Sequence, residues 1–214
     1  MIDVEDTIVA IASPTSPAPR GVVRLSGSGV TEILRRLRVA CPEGSAARRY
    51  DADIDIGSPI GEIPVSVMLW PTARSYTAQP AAELHTIGSL PLLQGLVDAT
   101  IKAGARAARP GEFTMRAFLA GRLDLTQAEA VLGVIEAEGR GSLDHALRQL
   151  AGNLSRPLEQ MRGTLLDLIA DVEAGLDFVD EDIEFITDEL LIERLSEMAT
   201  PVSYTHLTLP TNTV

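Results

Sequence analysis

The sequence contains one cysteine, Cys41. A single thiol closes no internal disulfide, so the fold must hold by its core, and a reducing, cytosolic compartment suits it. Aromatic residues are scarce, with four Phe, three Tyr and one Trp among 214 residues. The core is therefore expected to be aliphatic. No apolar run reaches the roughly 20 residues of a membrane-spanning helix, and the start lacks the basic-then-apolar pattern of a signal peptide. A soluble protein without a membrane partner is expected. No Gly-x-x-x-x-Gly-Lys-Ser/Thr loop occurs, so these residues do not encode the usual nucleotide-phosphate cradle. Positive charge is scarce in the later part of the chain only. Residues 1–120 carry 12 acidic and 12 basic side chains, whereas 121–214 carry 18 and 6, which accounts for the net charge of −12. An acidic half repels phosphate, so nucleic acid would have to be met through a basic partner or further chain.

What is present reads first as alternating strands and short helices. Thr7–Ala12 is β-branched and predicts a strand, followed by a proline-rich loop, Ser13 to Pro19, and a second strand, Gly21–Ser26. Ser26-Gly27-Ser28-Gly29 then turns into a helix over 30–39. Such a turn before a helix can hold phosphate, but without a lysine or a complete dinucleotide fingerprint a plain turn is the better reading. Further strands are predicted over 51–56, 65–70 and 82–85, the last placing Glu83 and His85 on one face. The alternating Asp51, Asp53 and Asp55 read as a solvated strand face rather than metal ligands. A helix over 90–103 stops at Gly104.

The most informative stretch runs from Ala108 to Ala130. Arg109-Pro110-Gly111 makes a turn, Glu112–Ala120 a short helix, and Gly121 a left-handed stop. Asp124 with Gln127 forms a capping-box pattern for the next helix. Arg122 is thereby held at a junction between two rigid elements. Beyond it, Leu143, Leu147, Leu150, Leu154, Leu158, Met161, Leu165, Leu168 and Val172 recur at spacings of three or four. This predicts a long helix or a helix pair, kinked or restarted at Pro157. Asp180, Glu181, Asp182 and Glu184 form an acidic cluster read as solvated, since it lacks the calcium-loop spacing. After Met198 the pattern turns threonine-rich and aperiodic, so 201–214 is expected to be a foreign or disordered tail.

Arg109-Pro110-Gly111-Glu112-Phe113-Thr114, Arg116-Ala117-Phe118, Leu123-Asp124-Leu125 and Gln127-Ala128-Glu129-Ala130 closely resemble a motif of the tRNA-modifying GTPase family called MnmE or TrmE. Asp6-Thr7-Ile8-Val9-Ala10, Gly21 to Gly27 and Asp177-Phe178 match as well, so the resemblance covers roughly the first 190 residues. It implies an α+β, mixed-sheet, tetrahydrofolate-binding-like domain over 1–120 with a dimerising role, followed by part of an all-α helical domain over 121–200. It also implies a GTPase domain, with its GTP, magnesium and potassium, outside these residues. By the same resemblance the family acts with a flavin-dependent partner on the wobble uridine of tRNA, and the folate, 5-formyl- or 5,10-methylene-tetrahydrofolate, supplies a one-carbon unit.

By motif position the resemblance assigns three folate contacts: Arg24, Glu83 and Arg122. A carboxylate such as Glu83 can accept from a pterin edge, and Arg24 or Arg122 can pair an anionic glutamate tail. Each also has a plain reading, as strand-rim charge, surface glutamate and helix-end cation. Two departures stand out. The family more often has lysine where Arg122 stands. It also usually continues Gly-Glu-Asp after Ser75-Tyr76-Thr77 and then reaches a histidine and two glycines, where this chain has Ala78-Gln79-Pro80, His85 near the expected place, and Thr86-Ile87-Gly88-Ser89. The alternatives are a stand-alone aminomethyltransferase-like folate enzyme and a dimerisation or interaction module without folate binding.

Overall fold

Side-chain alternation at period two fixes the sheet. Six strands, β1 (Ile8–Ile11), β2 (Ala18–Ser26), β3 (Arg48–Asp55), β4 (Glu62–Trp70), β5 (Ala81–Gly88) and β6 (Arg106–Ala107), form one mixed sheet in the order β3-β4-β5-β2-β1-β6. Only β1 and β6 pair in parallel. Val23, Leu25, Val65, Val67, Leu69, Ala82 and Leu84 point to one face and are buried there. Against them pack α1 (Val30–Arg36), through Val30, Ile33 and Leu34, and α2 (Leu90–Lys102), through Leu93 and Leu96. Each such side chain contributes about 1.5–3 kcal/mol on burial. Arg24, Ser66, Met68, Trp70, Glu83 and His85 alternate onto the opposite face.

This computed structural model describes residues 4, 6–41, 44–153, 155–177 and 185–207, with backbone alone for 200–207. It divides into two compact units, Met1–Ala128 and Glu129–Val214. The α+β class followed by a helical region is as expected. Several boundaries differ. β2 begins at Ala18, inside the proline-rich loop, because a register irregularity between Ala18 and Gly21 lets Pro19 sit in a strand without donating to the ladder. α1 ends three residues early: Arg38 turns left-handed (φ 62°), and Val39 N–H donates back to the Leu34 carbonyl. This is a Schellman-type stop with no glycine to announce it. The two-residue β6 has too little pattern to be read in advance; tertiary pairing of Arg106 with Ile8 creates it.

α3 (Glu112–Leu119) starts at left-handed Gly111 (φ 73°) and stops at left-handed Gly121 (φ 69°), both where the turn chemistry requires them. The capping box of α4 (Leu125–Ile135), which crosses the division between the units, forms as expected. Asp124 N–H donates to Gln127 Oε1 at 3.0 Å and Gln127 N–H to Asp124 Oδ1 at 2.8 Å. In the second unit the apolar stripe lies on a helix pair, α5 (Arg140–Leu150) and α6 (Ser155–Asp177), with Pro157 in the first turn of α6, where a missing N–H costs nothing. Leu168 is buried, whereas Leu143, Leu147, Leu158 and Leu165 are exposed; Leu154 lies outside the described residues. α7 (Asp188–Leu207) runs past Pro201, so the change in character after Met198 is not a break in helical backbone. Residues 208–214 and the acidic cluster Asp180 to Glu184 lie outside the described residues. No described helix is long and apolar enough to cross a membrane.

Candidate functional site

The antiparallel register of β2 and β5 sets Arg24 directly opposite Glu83, and Val22 opposite His85. Arg24 Nε and Nη2 both donate to Glu83 Oε1, at 2.9 and 2.8 Å. His85 Nε2 meets Glu83 Oε2 at 3.0 Å. A carboxylate offers about four acceptor positions, and three are thus filled. Glu83 can take one further donor as it stands, or three if Arg24 swings away. Its side chain is 19% exposed and that of Arg24 38%, so the pair is accessible from solvent on one side.

This pair lines a cleft of about 500 Å3 whose walls include Trp70, Tyr76, Phe113, Arg74, Ser26 and Thr77. Three of the chain's eight aromatic residues therefore face one cavity, a concentration that strand alternation alone does not explain. Planar rings are the natural ligands of such walls. Arg122 does not line the cleft. Its Nη2 donates to the Ala73 carbonyl at 2.7 Å, tying the α3–α4 junction to the loop whose next residues, Arg74 to Thr77, form the rim. So the structure joins Arg24 and Glu83 side chain to side chain, and fixes Arg122 at the loop behind them. The Asp51, Asp53 and Asp55 face is exposed, and no group of three or more potential metal ligands occurs among the described residues. The turn before α1 holds no free phosphate cradle at Gly29, whose N–H donates to Thr7 Oγ1 at 2.9 Å.

The residues least visible in the sequence lie on and around α3, next to Phe113 of the cleft wall. Glu112 and Arg116, one turn apart on α3, have side chains only 1% exposed and meet at 3.0 Å. Arg106 grips Glu112 with both Nη atoms, at 3.1 and 2.7 Å, and reaches Asp6 Oδ2 at 2.6 Å through Nε. Arg116 Nη2 also pairs with Asp6 Oδ1. The Arg109 N–H donates to Glu112 Oε2 at 2.8 Å. Two carboxylates and two guanidiniums thus neutralise each other, with Glu112 and Arg116 buried and Asp6 and Arg106 at the edge of the solvent. The Arg106 hydrogen bonds are the main reason that the Glu112 carboxyl is held down at about 2, against the cost of burial; the same guanidinium lowers Asp6. The i,i+4 spacing of Glu112 and Arg116 was the available signal, but it marks exposed helix pairs equally well.

Comparison with known families decides what this assembly is. The family described as GTP-binding protein TrmE N-terminus matches residues 7–122, more than half of the chain, and the MnmE helical domain matches 125–209. The chain belongs to the MnmE/TrmE family. It is 67% identical over 199 residues to the tRNA modification GTPase MnmE of Rhodopirellula baltica, covering 92% of this chain and 43% of that protein. It is 41% identical to that of Thermus thermophilus over 197 residues, covering 90% and 46%, and 40% identical to that of Syntrophotalea carbinolica over 192, covering 87% and 42%. The chain therefore spans less than half the length of these curated relatives. The MnmE/TrmE helical match extends through the end of α7, in line with the helical backbone seen there.

The departure from the usual MnmE/TrmE pattern at Ala78 has a structural consequence. Ala78 is left-handed, with φ 55°, at the point where the rim loop turns. The loop is nonetheless tightly bonded: Ser26 Oγ lies 2.5 Å from Thr77 Oγ1, Gln79 Nε2 donates to the Val4 carbonyl at 2.7 Å, and Arg116 Nη1 donates to Gln79 Oε1 at 3.2 Å. A left-handed alanine costs about 1–2 kcal/mol, while glycine costs about 0.4–1 kcal/mol of chain entropy. Ala78→Gly is therefore expected to stabilise the protein by about 0.5–1 kcal/mol in urea unfolding. A destabilised variant would show that the loop is not strained at this residue.

Proposed function

We propose that the N-terminal unit binds a one-carbon tetrahydrofolate, 5-formyl- or 5,10-methylene-, in the Arg24–Glu83 cleft and mediates homodimerisation, as part of a tRNA wobble-uridine modification GTPase. The observation that carries this reading is the hydrogen-bonded Arg24–Glu83–His85 row in a cleft walled by Trp70, Tyr76 and Phe113. This donor and acceptor set fits the group. The aromatic walls suit a pterin ring, and the Glu83 carboxylate suits its amide and guanidine-like edge. The folate, when bound, supplies the one-carbon unit. The chain's own residues bind and orient: Glu83 accepts from the ring edge, Arg24 holds Glu83 in place, and Arg122 secures the rim through Ala73. No nucleophile from this chain is required. GTP with magnesium and potassium belongs to a GTPase domain outside these residues. A cytoplasmic, flavin-dependent partner and tRNA complete the proposed system, and the acidic second half supports reaching tRNA through other surfaces.

Isothermal titration with 5-formyltetrahydrofolate tests this reading. Glu83→Ala is expected to weaken binding by about 1.5–3 kcal/mol, the range for hydrogen bonds to charged groups. Arg122→Lys is expected to cost less, since it keeps the charge and one donor to Ala73. Equal binding by wild type and Glu83→Ala would remove the site from this cleft. No binding by wild type would favour the interaction-module reading.

A further inference from the structure

A second cleft, of about 240 Å3, continues along the same open face of the sheet. Its walls include Arg20, Arg49, Ser66, Met68, His85 and Thr86, and among the described residues no carboxylate lines it. Asp51 shares this face of β3 opposite Ser66 but does not line the cleft. Arg49 Nε donates to Ser66 Oγ at 2.9 Å, which fixes the guanidinium against the wall and leaves its terminal nitrogens available. Among the described residues, neither Arg20 nor Arg49 forms an ion pair, unlike Arg24, Arg106 and Arg116. His85 belongs to both sites. Its Nε2 reaches Glu83 in the first cleft, while its ring lines the second and its buried Nδ1 has no partner among the described residues.

The register places the two clefts end to end. Ala81 and Glu83 line the first, His85 and Ile87 the second, and β4 follows in step, with Trp70 opposite Ala81 and Ser66 opposite His85. At about 3.4 Å per residue, the span from Ala81 to Ile87 is roughly 20 Å. A ligand with a planar ring at one end and carboxylates at the other can lie along that track with its ring between Trp70, Tyr76 and Phe113. Arg24 is already neutralised by Glu83, so the nearest uncommitted positive charge along the strands is that of Arg20 and Arg49.

We propose that the Arg20–Arg49 cleft is an anion subsite that takes the carboxylates of an oligo-γ-glutamate tail whose ring occupies the first cleft. This rests on the folate reading and adds to it a preference for polyglutamylated over monoglutamylated ligand. Both arginines are exposed, so each pairing is individually weak, and together they should give about a 5- to 10-fold advantage that shrinks with salt.

The experiment titrates wild type, Arg20→Ala/Arg49→Ala and Arg74→Ala/Arg122→Ala with mono- and tetraglutamyl 5-formyltetrahydrofolate, and separately with γ-tetraglutamate peptide alone. Wild type should prefer the tetraglutamyl form. The Arg20→Ala/Arg49→Ala variant should lose that preference and weak peptide binding, yet bind the monoglutamyl form within about twofold of wild type. Peptide binding that depends on Arg20 and Arg49, without any folate binding, would support the anion subsite and refute the ring site alone. Folate binding with no tetraglutamyl preference would overturn the subsite alone. A preference abolished by Arg74→Ala/Arg122→Ala instead would send the tail the other way and also overturn it. Binding of neither folate nor peptide would refute both.

Discussion

Glu112→Gln is expected to lower the free energy of unfolding by about 3–5 kcal/mol, the cost of removing one partner from a buried charge network. Glutamine keeps the shape and one acceptor but removes the charge. The buried Arg116, 1% exposed, and the half-exposed Arg106 would then share only the Asp6 carboxylate, leaving two cations against one anion with one of the cations cut off from water. The control is Glu32, whose contacts with Arg35 and Arg36 lie on the exposed face of α1. Glu32→Gln should change stability by about 0.5 kcal/mol or less, because solvent screens such pairs. Urea unfolding of the three proteins decides the point. A Glu112→Gln loss no larger than that of Glu32→Gln would mean that the network is energetically a surface pair despite its burial. The expected loss is a large part of the 5–15 kcal/mol that holds a typical domain together.

The same network should make the fold acid-sensitive within a defined window. Glu112 titrates at about 2 in the folded state against an ordinary 4.5, and Asp6 is also lowered. A depressed carboxyl stabilises the native state fully above its unfolded value, and that stabilisation is lost as pH falls toward the folded value. The gap for Glu112 corresponds to on the order of 3 kcal/mol, present at pH 6 and disappearing between about pH 4.5 and 2. Urea midpoints across this range should fall steeply for wild type and less steeply for Glu112→Gln. Parallel curves for the two proteins would place the acid sensitivity elsewhere.

Local rules read much of this chain. The stop at Gly121, the turn at Gly111 and the Asp124–Gln127 capping box all follow from residues within four positions of each other. The sharing of a face by Glu83 and His85 follows from strand alternation, and their hydrogen bond from that sharing. The family resemblance was carried by contiguous words such as Arg-Pro-Gly-Glu-Phe-Thr, which is why it survives in the matches to both domains.

What the sequence determined by itself was therefore the α+β class, the helical second part, the family, and the turns and caps at Gly104, Gly111, Gly121 and Asp124, because these depend on periodicity, contiguous motifs and short-range hydrogen bonds. Only the tertiary structure decided which charges meet. The i,i+4 spacing of Glu112 and Arg116 reads equally well as a surface pair. Their burial depends on Asp6 and Arg106, which arrive at α3 from β1's leading edge and from β6, a strand that exists only through its pairing with Ile8. Likewise Trp70, Tyr76 and Phe113 come from a strand, a loop and a helix, and nothing local foretells that they wall one cleft. Long-range register also set Arg24 against Glu83 and, among the described residues, left Arg20 and Arg49 without an ion pair. Coulomb pairing depends on distance in space, and distance in space is fixed by the sheet order rather than by separation along the chain.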